Sequence, residues 1–236
     1  MKDFLPEDHD YYTFIKKVVR HRCRQSGIKR ISTPIVERVE VFLRGIGDTT
    51  DVVEKEMYIF KDKGDRQIAL RPEFTAGVIR AYIEHGLFNQ PQPIQLYSLG
   101  PVFRYGRPQQ GRLRQFNQFN VEIIGEQNPI LDADLINLGW QIYHDLGLGE
   151  NLRVEINTIG DLDSRSTYLE NLRNFYAGKE RSLCPYCLRR LEKNPLRLLD
   201  CKNEDCQILA GLAPKIEDGL NEVSREHFAK VKSYLD

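Results

Sequence analysis

"GPVFRYGRPQQGRLRQFNQFNVEIIGE", residues 100–126, alternates apolar with polar residues on either side of a turn, which predicts a β-hairpin. The hairpin contains four arginines and no lysine. Because side chains alternate across a strand, one face of the second arm is polar or aromatic and the other is mostly apolar. The polar face carries Arg112, Arg114, Phe116, Gln118, Asn120 and Glu122. The apolar face carries Leu113, Phe119, Val121 and Ile123.

The polar face of this hairpin has two chemically different ends. In the first arm, Arg104 shares a face with the small residues Ser98 and Gly100, which leave room above the sheet for a flat ligand. Guanidinium groups bind phosphate bidentately, whereas Gln118 and Glu122 suit a ligand that carries N–H donors. The pattern predicts a floor for a ligand that is anionic at one end and cationic at the other. A solvated face with scattered ion pairs is the alternative, and it accounts for any single arginine better than for the whole face.

The sequence around the hairpin predicts an α+β domain with an antiparallel sheet flanked by helices. Helical spacing of apolar residues occurs in residues 11–22, 74–86 and 132–149, and the glycines Gly27, Gly86 and Gly147 mark the helix ends. Strands are expected at residues 94–105 and 113–125 of the hairpin, after Gly27, in a second hairpin that turns at Gly64 and Asp65, and at residues 151–161. Strands joined mostly by hairpins, with helices set apart from them, are typical of this fold class.

From Leu162 onward, charged helical stretches replace the strand patterns. This change predicts a domain boundary, with residues 1–161 forming the α+β domain and residues 162–236 forming a mostly helical second domain.

Overall composition excludes several classes of protein. The 34 lysines and arginines balance the 34 aspartates and glutamates, so no chain-wide field attracts nucleic acid or membrane. The first residues, MKDFLPEDHDYY, are acidic where a signal peptide needs an apolar stretch, and no segment reaches the roughly 18 apolar residues of a membrane span. The expectation is a cytoplasmic protein with no membrane partner.

A second candidate binding segment is LRPEFTAG, residues 70–77, directly before a predicted helix. The carboxylate of Glu73 and the hydroxyl of Thr75 are suited to binding a ligand amine. They are equally suited to the first turn of the helix, where oxygen-bearing side chains accept free backbone N–H groups. The residues alone do not decide between these two interpretations.

Four cysteines fall in one short window, as CPYC at 184–187 and CKNEDC at 201–206. Two pairs separated by 13 residues approach the spacing of a tetrathiolate zinc site, although the second pair is wider than usual. We therefore predict a structural zinc bound by Cys184, Cys187, Cys201 and Cys206. Reduced structural cysteines are the main alternative. A redox dithiol at CPYC is a third interpretation, but the βαβ context that it needs is missing.

Three segments together resemble the histidyl-tRNA synthetase family of class II aminoacyl-tRNA synthetases. They are KEMYIFKDKGDRQIALRPEFTAG, the arginine-rich hairpin and NPLRLLDCK, and the resemblance extends over essentially all 236 residues. ISTPIVERVEVF at 31–42 is similar to the first motif of that class, which forms a dimer, and the hairpin is similar to the second. The resemblance implies a histidine–tRNA ligase that uses ATP with magnesium and tRNA(His) and forms a homodimer. Residues 1–161 would be its incomplete catalytic core.

The resemblance also implies residue roles. Arg104 would contact the α-phosphate of ATP and stabilise charge during attack by the histidine carboxylate, and Arg112 and Arg114 would bind the outer phosphates. Histidine would be bound by Glu73, Phe74, Thr75, Gln118 and Glu122, with Glu122 at the imidazole. The insertion domain of the family approaches the tRNA acceptor arm, and its basic residues here are Arg181, Arg189, Arg190, Lys193 and Arg197.

The sequence departs from the family pattern at Gly106, Phe74 and Asn117, where an acidic residue, a small residue and histidine are common. It also ends before the histidine-specific motif with a second arginine, the third class II motif and the anticodon-binding domain. The resemblance thus implies an N-terminal portion that is inactive alone. The runner-up function is a histidine-sensing regulatory subunit of ATP phosphoribosyltransferase. A zinc-ribbon nucleic-acid binder would explain the cysteines but not the hairpin.

Overall fold

The computed structural model of the protein describes residues 3–46, 56–107 and 109–236. The chain divides into two compact units. The first comprises Met1–Gln127 and Asp134–Leu152, and the second comprises Asn128–Ala133 and Arg153–Asp236. The division into functional domains at residues 1–161 and 162–236 stays a prediction.

The first unit contains six strands and the helices that flank them in the described part of the chain. The helices are α1 (Pro6–Gln25), α2 (Val39–Ile46), α3 (Thr75–Glu84) and α4 (Pro129–Asp145), of which α4 enters this unit at Asp134. The strands are β1 (Lys29–Arg30), β2 (Val36–Arg38), β3 (Tyr58–Lys61), β4 (Gln67–Leu70), β5 (Ile94–Phe103) and β6 (Gln115–Ile124).

The strands form two three-stranded sheets. In the first sheet, β5 lies between β1 and β6; it pairs with β6 in antiparallel and with the short β1 in parallel. In the second sheet, β4 lies between β2 and β3, and both pairings are antiparallel. The β3–β4 hairpin turns at the predicted place, where Asp65 has a φ of 59°. Aspartate tolerates this left-handed conformation better than most residues do.

The long β5–β6 hairpin is covered differently on its two faces. One face packs Tyr97 against α1 and α4 in a cluster with Val19, Cys23, Leu138 and Ile142. The opposite face packs Leu96 and Val102 against Phe74 and Val78 of the α3 segment. Burial of these apolar side chains fixes the register, because a slip by one residue would exchange the two faces.

The predicted fold class is confirmed, with two differences. The sheet predicted as antiparallel includes the one short parallel pairing of β1 with β5. The strand predicted at residues 151–161 was wrong, because residues 152–161 have no regular structure before the next helix. None of the described strands pairs with this segment, and Val154 and Ile159 are exposed. A strand needs a neighbour for its backbone hydrogen bonds.

The second unit is mostly helical, as predicted for this part of the chain. Its helices are α5 (Leu162–Tyr176), α6 (Pro185–Lys193), α7 (Glu204–Gly211) and α8 (Glu222–Leu235). Asp161 and Asn221 cap α5 and α8 by accepting the N–H groups of Ser164 and Ser224, and the two capping side chains also bond to each other at 2.7 Å. None of the described helices in either unit has the length and apolar character to cross a membrane.

Candidate functional site

The floor of the candidate site is the polar face of the β5–β6 hairpin. Its cross-strand pairs include Ser98 with Asn120 and Gly100 with Gln118. Gly100 lies in close packing, because a Cβ there would lie 3.2 Å from a terminal nitrogen of Arg71 and would force that side chain to shift. The sequence alone predicted that the small residues of β5 leave space for a ligand. The structure shows that they also leave space for a buried arginine.

Arg71, at the end of β4, is an organising residue that sequence analysis missed. Its side chain is 6% exposed; Nε donates to Pro101 O and a terminal nitrogen donates to Thr33 O, both at 2.8 Å. Its guanidinium lies 4.4 Å from the Phe74 ring centroid, and burial lowers its pKa. Arg71 therefore joins three backbone segments on the polar face of the hairpin. In the sequence, the one indication of this role was that Arg71 directly precedes Pro72 and Glu73 of the candidate binding segment.

Glu73 and Thr75 take different roles at the start of α3. The Glu73 carboxylate accepts the backbone N–H groups of Thr75 and, at 2.9 Å, of Ala76. It therefore accepts backbone N–H groups of the first helical turn, which was one of the two interpretations of this segment. The Thr75 hydroxyl instead donates to Glu122 Oε1 of β6 at 2.5 Å. The structure thus brings the LRPEFTAG segment to the hairpin, as a shared site requires.

Glu122 is the meeting point of the polar end of the floor. Its Oε1 accepts the Thr75 hydroxyl and also Asn120 Nδ2, at 2.9 Å. Both bonds end on the same oxygen, so the second oxygen is not used by either. Gln118 lies on the same face of β6, two strand positions before Asn120, and is half-buried. This end of the floor holds a carboxylate and an amide within one sheet face.

Phe74 is buried, and it packs against the floor face of the hairpin. Its side chain is 2% exposed and packs with Val78, Leu96 and Val102. The contact with the Arg71 guanidinium covers its ring face. Its predicted part in binding histidine stays a prediction, and the position supports the site through packing.

The arginines lie at the other end of the hairpin. Arg104 Nε donates to Pro72 O at 2.8 Å, and its guanidinium is 5.6 Å from the Phe116 ring centroid. The bond to Pro72 uses only Nε, so the two terminal nitrogens keep four N–H donors apart from it. Arg104 is therefore anchored to the segment that precedes α3, and its donor end is oriented rather than free to rotate.

Arg112 closes the turn of the hairpin, and Arg114 follows it directly before β6. The Arg114 guanidinium stacks 3.8 Å from the Tyr105 ring centroid, and its Nε is buried without a hydrogen-bond partner among the described residues. Arg112 is exposed, and its backbone N–H closes the turn by donating to Gln109 O at 2.9 Å. A Cβ at Gly106 would lie 3.6 Å from Arg112 Cδ. Three guanidinium groups thus gather where β5 ends and β6 begins.

The four predicted zinc ligands form one cluster in the second unit. Their sulfur atoms all lie within 4.8 Å of one another, and the Cys184 and Cys201 sulfurs are 3.8 Å apart. Zinc–sulfur bonds of about 2.3 Å in a tetrahedron give sulfur–sulfur distances of about 3.8 Å. Donor chemistry and spacing therefore both fit a tetrathiolate zinc site.

The surroundings of the cluster favour the thiolate at Cys184 and disfavour it at two of the other cysteines. Cys184 is the N-cap of α6, and the N–H of Cys187 lowers the pKa of Cys184 to about 7. The Cys184 N–H donates to Cys206 Sγ at 3.3 Å. Burial raises the pKa of Cys187 and of Cys206, so these thiols ionise less readily on their own. A divalent cation would offset that cost.

A comparison with family models matches residues 1–163 to the model described as histidyl-tRNA synthetase. A curated relative, the histidine–tRNA ligase of Geobacillus thermodenitrificans, is 49% identical over 235 residues, which cover 99% of this chain and 55% of the relative. The chain thus spans about half the length of the curated relatives it matches.

Solved structures give the same picture of the fold. The apo histidyl-tRNA synthetase of S. aureus matches with a TM-score of 0.76 and 40% identity, covering 100% of this chain and 53% of that one. An ATP phosphoribosyltransferase regulatory subunit/histidyl-tRNA synthetase from Bacillus halodurans matches with a TM-score of 0.63 and 21% identity, covering 100% and 63%. The second likeness concerns the fold alone.

Proposed function

The chain belongs to the histidyl-tRNA synthetase family, and we propose that it supplies the histidine and ATP-phosphate contacts of a histidine–tRNA ligase. In this reaction the histidine carboxylate attacks the α-phosphate of ATP, pyrophosphate leaves, and the histidyl group is then transferred to tRNA(His). The reaction needs in-line positioning and charge stabilisation rather than a nucleophilic side chain. Magnesium, when bound, neutralises phosphate charge.

The observation that carries the proposal is the Thr75–Glu122 hydrogen bond. It brings the segment before α3 to the carboxylate end of the hairpin. Arg104, at the other end, is anchored to Pro72 of the same segment. One short segment thus fixes both ends of the floor, which suits a ligand that is cationic at one end and anionic at the other.

Each end of the floor has a defined part in the proposed reaction. Arg104 stabilises the negative charge that develops at the α-phosphate, because its bond to Pro72 O orients the charged donors of its terminal N–H groups. Arg112 and Arg114 bind the outer phosphates. Histidine lies at the end formed by Glu73, Phe74, Thr75, Gln118 and Glu122, with the Glu122 carboxylate accepting from the imidazole.

A histidine-sensing regulatory subunit of ATP phosphoribosyltransferase is the alternative function. A sensor of this kind needs the Thr75–Glu122 end of the floor but has no use for phosphate contacts. The three guanidinium groups around the hairpin turn therefore favour the ligase.

We propose that the cysteine cluster binds one structural zinc. The site joins the N-terminus of α6 to the start of α7, and all three of its buried cysteines belong to the apolar core of the second unit. The same unit presents the basic residues that we propose for phosphate contacts with tRNA. Among them, Arg189 is exposed, and Arg190 donates to Arg197 O at 3.1 Å.

Homodimer formation and a cytoplasmic location complete the proposal. The segment that resembles the dimer-forming motif contributes β2 and α2 to a cavity of about 1160 Å³, which α3 also lines. Ile83 lines the cavity and is exposed. Ile35 and Val36 are also exposed, and they lie in the chain between the lining residues Pro34 and Glu37. Charged side chains line much of the cavity, and the exposed apolar side chains next to them support a protein partner there.

The proposal is tested by histidine-dependent exchange of pyrophosphate into ATP. The assay uses the protein expressed at the length that its gene encodes, hereafter the full-length protein. The ligase predicts exchange that depends on histidine and not on the other amino acids. Saturable histidine binding without exchange would support the sensor instead.

A further inference from the structure

Tyr105 is an exposed aromatic residue that makes one close contact across the hairpin. It lies two residues after the end of β5 and is 53% exposed, so its ring contributes little to a core. The guanidinium of Arg114 lies over the ring, 3.8 Å from its centroid. The two residues are nine positions apart on opposite arms of the hairpin. The stack is therefore formed by the fold of the hairpin and not by neighbouring positions in one strand.

The Tyr105 ring is held in place by the segment that leads into β3. The rings of Tyr105 and Tyr58 form a T-shaped contact, with 5.7 Å between their centroids and 78° between their planes. The Tyr105 backbone N–H donates to Glu56 O at 2.7 Å. The side-chain contacts are made by the ring and not by the hydroxyl. Tyr105 is thus a fixed aromatic platform rather than a freely moving surface side chain.

Arg114 is the arginine that this platform orients. Its carbonyl oxygen accepts the backbone N–H of Arg104 at 2.9 Å, so the two arginines lie opposite each other across the hairpin. An arginine side chain in solvent samples many rotamers, and contact with a fixed ring restricts them. A ring that covers the flat face of a guanidinium does not compete for its in-plane N–H donors, which are the groups that bind phosphate bidentately.

We infer that Tyr105 is a positioning residue for ATP, because its ring holds the Arg114 guanidinium in the orientation that binds the outer phosphates. The inference rests on the proposed function, in which Arg114 binds those phosphates. Such a contact stabilises bound ATP and the transition state nearly alike, so its loss raises KM more than it lowers kcat. Arg104, the neighbour of Tyr105 in sequence, acts at the α-phosphate instead, where a loss lowers kcat. The two kinetic constants therefore separate action through Arg114 from action through Arg104.

Histidine-dependent pyrophosphate exchange by the full-length protein tests the inference with Tyr105→Leu and Tyr105→Phe. A cation–π contact changes an equilibrium constant by roughly 2- to 30-fold. We expect Tyr105→Leu to raise the KM of ATP and of pyrophosphate about fivefold or more, and to change kcat and the KM of histidine less than about twofold. Tyr105→Phe keeps the ring, so every constant should stay within about twofold of the wild type.

Phe88→Leu is the matched control. Phe88 has nearly the same exposure, 54%, and its ring pairs with that of Tyr82 instead of a guanidinium. Its replacement should leave the KM of ATP and of pyrophosphate unchanged. An equal rise in this control would overturn the inference, because it would reflect the general loss of an exposed aromatic ring.

The remaining outcomes are distinct from one another. Unchanged constants in Tyr105→Leu would overturn the inference and leave the ligase intact. A fall in kcat as large as the rise in KM would also overturn it, because Tyr105 would then act through Arg104. Weak ATP binding by Tyr105→Phe would assign the effect to the hydroxyl and contradict the role of the ring. A wild type without exchange would overturn the ligase and the inference together.

A double-mutant cycle covers the case in which Tyr105→Leu disturbs the hairpin more widely. Arg114→Ala should itself raise the KM of ATP, and adding Tyr105→Leu to it should raise that constant further by less than about twofold. The reason is that a positioning residue has no effect once the group that it positions is gone. Full additivity of the two effects would show that Tyr105 does not act through Arg114 and would overturn the inference.

Discussion

The Thr75 hydroxyl donates a 2.5 Å hydrogen bond to Glu122 Oε1, across 47 residues of sequence. The bond joins the first residue of α3 to β6, and Asn120 donates to the same oxygen at 2.9 Å. Because two donors hold Oε1, the carboxylate is fixed in one orientation, and a ligand N–H can meet Oε2 without reordering the side chain. Preorganisation of this kind lowers the entropic cost of binding.

Glu122→Gln in the full-length protein should weaken histidine binding about tenfold or more and ATP binding less than about threefold. A carboxylate and an amide differ most toward a cationic or N–H donor, and histidine carries such a group whereas the ATP phosphates do not. Calorimetric titration with each ligand measures the two constants. Glu126→Gln, just beyond the end of β6, is the control; equal losses for both ligands would contradict the assignment of Glu122.

Thr75→Val should weaken histidine binding by about three- to tenfold, because it removes one donor from Glu122 at nearly constant volume. Its effect should depend on Glu122. In a double-mutant cycle with Glu122→Gln, residues in contact show a coupling of about 0.5–3 kcal/mol. Additive effects would show that the hydroxyl acts independently of the carboxylate.

Loss of zinc should separate the two halves of the proposed reaction. Cys184→Ser/Cys187→Ser in the full-length protein should remove one equivalent of zinc and lower tRNA charging about tenfold or more, while pyrophosphate exchange changes less than about threefold. The reason is that the cysteines lie in the second unit and the floor lies in the first. Substitutions are preferable to chelators, which also bind magnesium.

Elemental analysis and the two assays check this prediction. Cys23→Ala is the control, because Cys23 is buried in the core of the first unit. A wild type without zinc in metal-replete preparations would contradict the zinc site and favour reduced structural cysteines. Equal losses of charging and exchange would show that the cluster also supports the floor.

Asp161→Ala should lower the melting temperature at pH 6 by about a few degrees, because it removes the α5 cap and the bond to Asn221. The N–H of Ser164 and then Asn221 lower the pKa of Asp161 to about 2. A depressed folded-state pKa gives stability that is complete above the ordinary pKa of 3.8 and is lost as the pH falls toward 2.

The difference in melting temperature between wild type and Asp161→Ala should therefore shrink as the pH falls from about 5 to about 2. Thermal unfolding followed by circular dichroism measures it. Asp163→Ala, in the first turn of the same helix, should have a smaller effect. A difference that stays constant down to about pH 2 would mean that the charge of Asp161 contributes nothing.

Alternation in the sequence predicted the hairpin closely, because packing on both faces enforces it. Strands predicted at residues 94–105 and 113–125 are found at Ile94–Phe103 and Gln115–Ile124. The same rule failed at residues 151–161, where the apolar residues lack a described neighbouring strand. A local pattern states which faces are apolar but not whether a partner is present.

The candidate site was predictable only in part, for a similar reason. The four cysteines lie together, as their spacing predicted. Metal-ligand spacing can be recognised within one short segment of sequence. Arg71 was missed, because its importance depends on burial and on contacts with distant segments. Glu73 had two interpretations, and the structure shows its carboxylate serving the first turn of α3. The sequence around Glu73 was compatible with both partners and could not decide between them.

The most direct test of the proposed site is the rate of histidine-dependent pyrophosphate exchange by Arg104→Ala in the full-length protein. Arg104 is anchored to Pro72 O at 2.8 Å and presents its terminal N–H groups as fixed donors. Loss of a contact that stabilises transition-state charge costs about 100-fold or more in rate. We expect kcat to fall by that factor with a smaller change in the histidine KM. A rate within about threefold of the wild type would contradict the role of Arg104 and, with it, the proposed site.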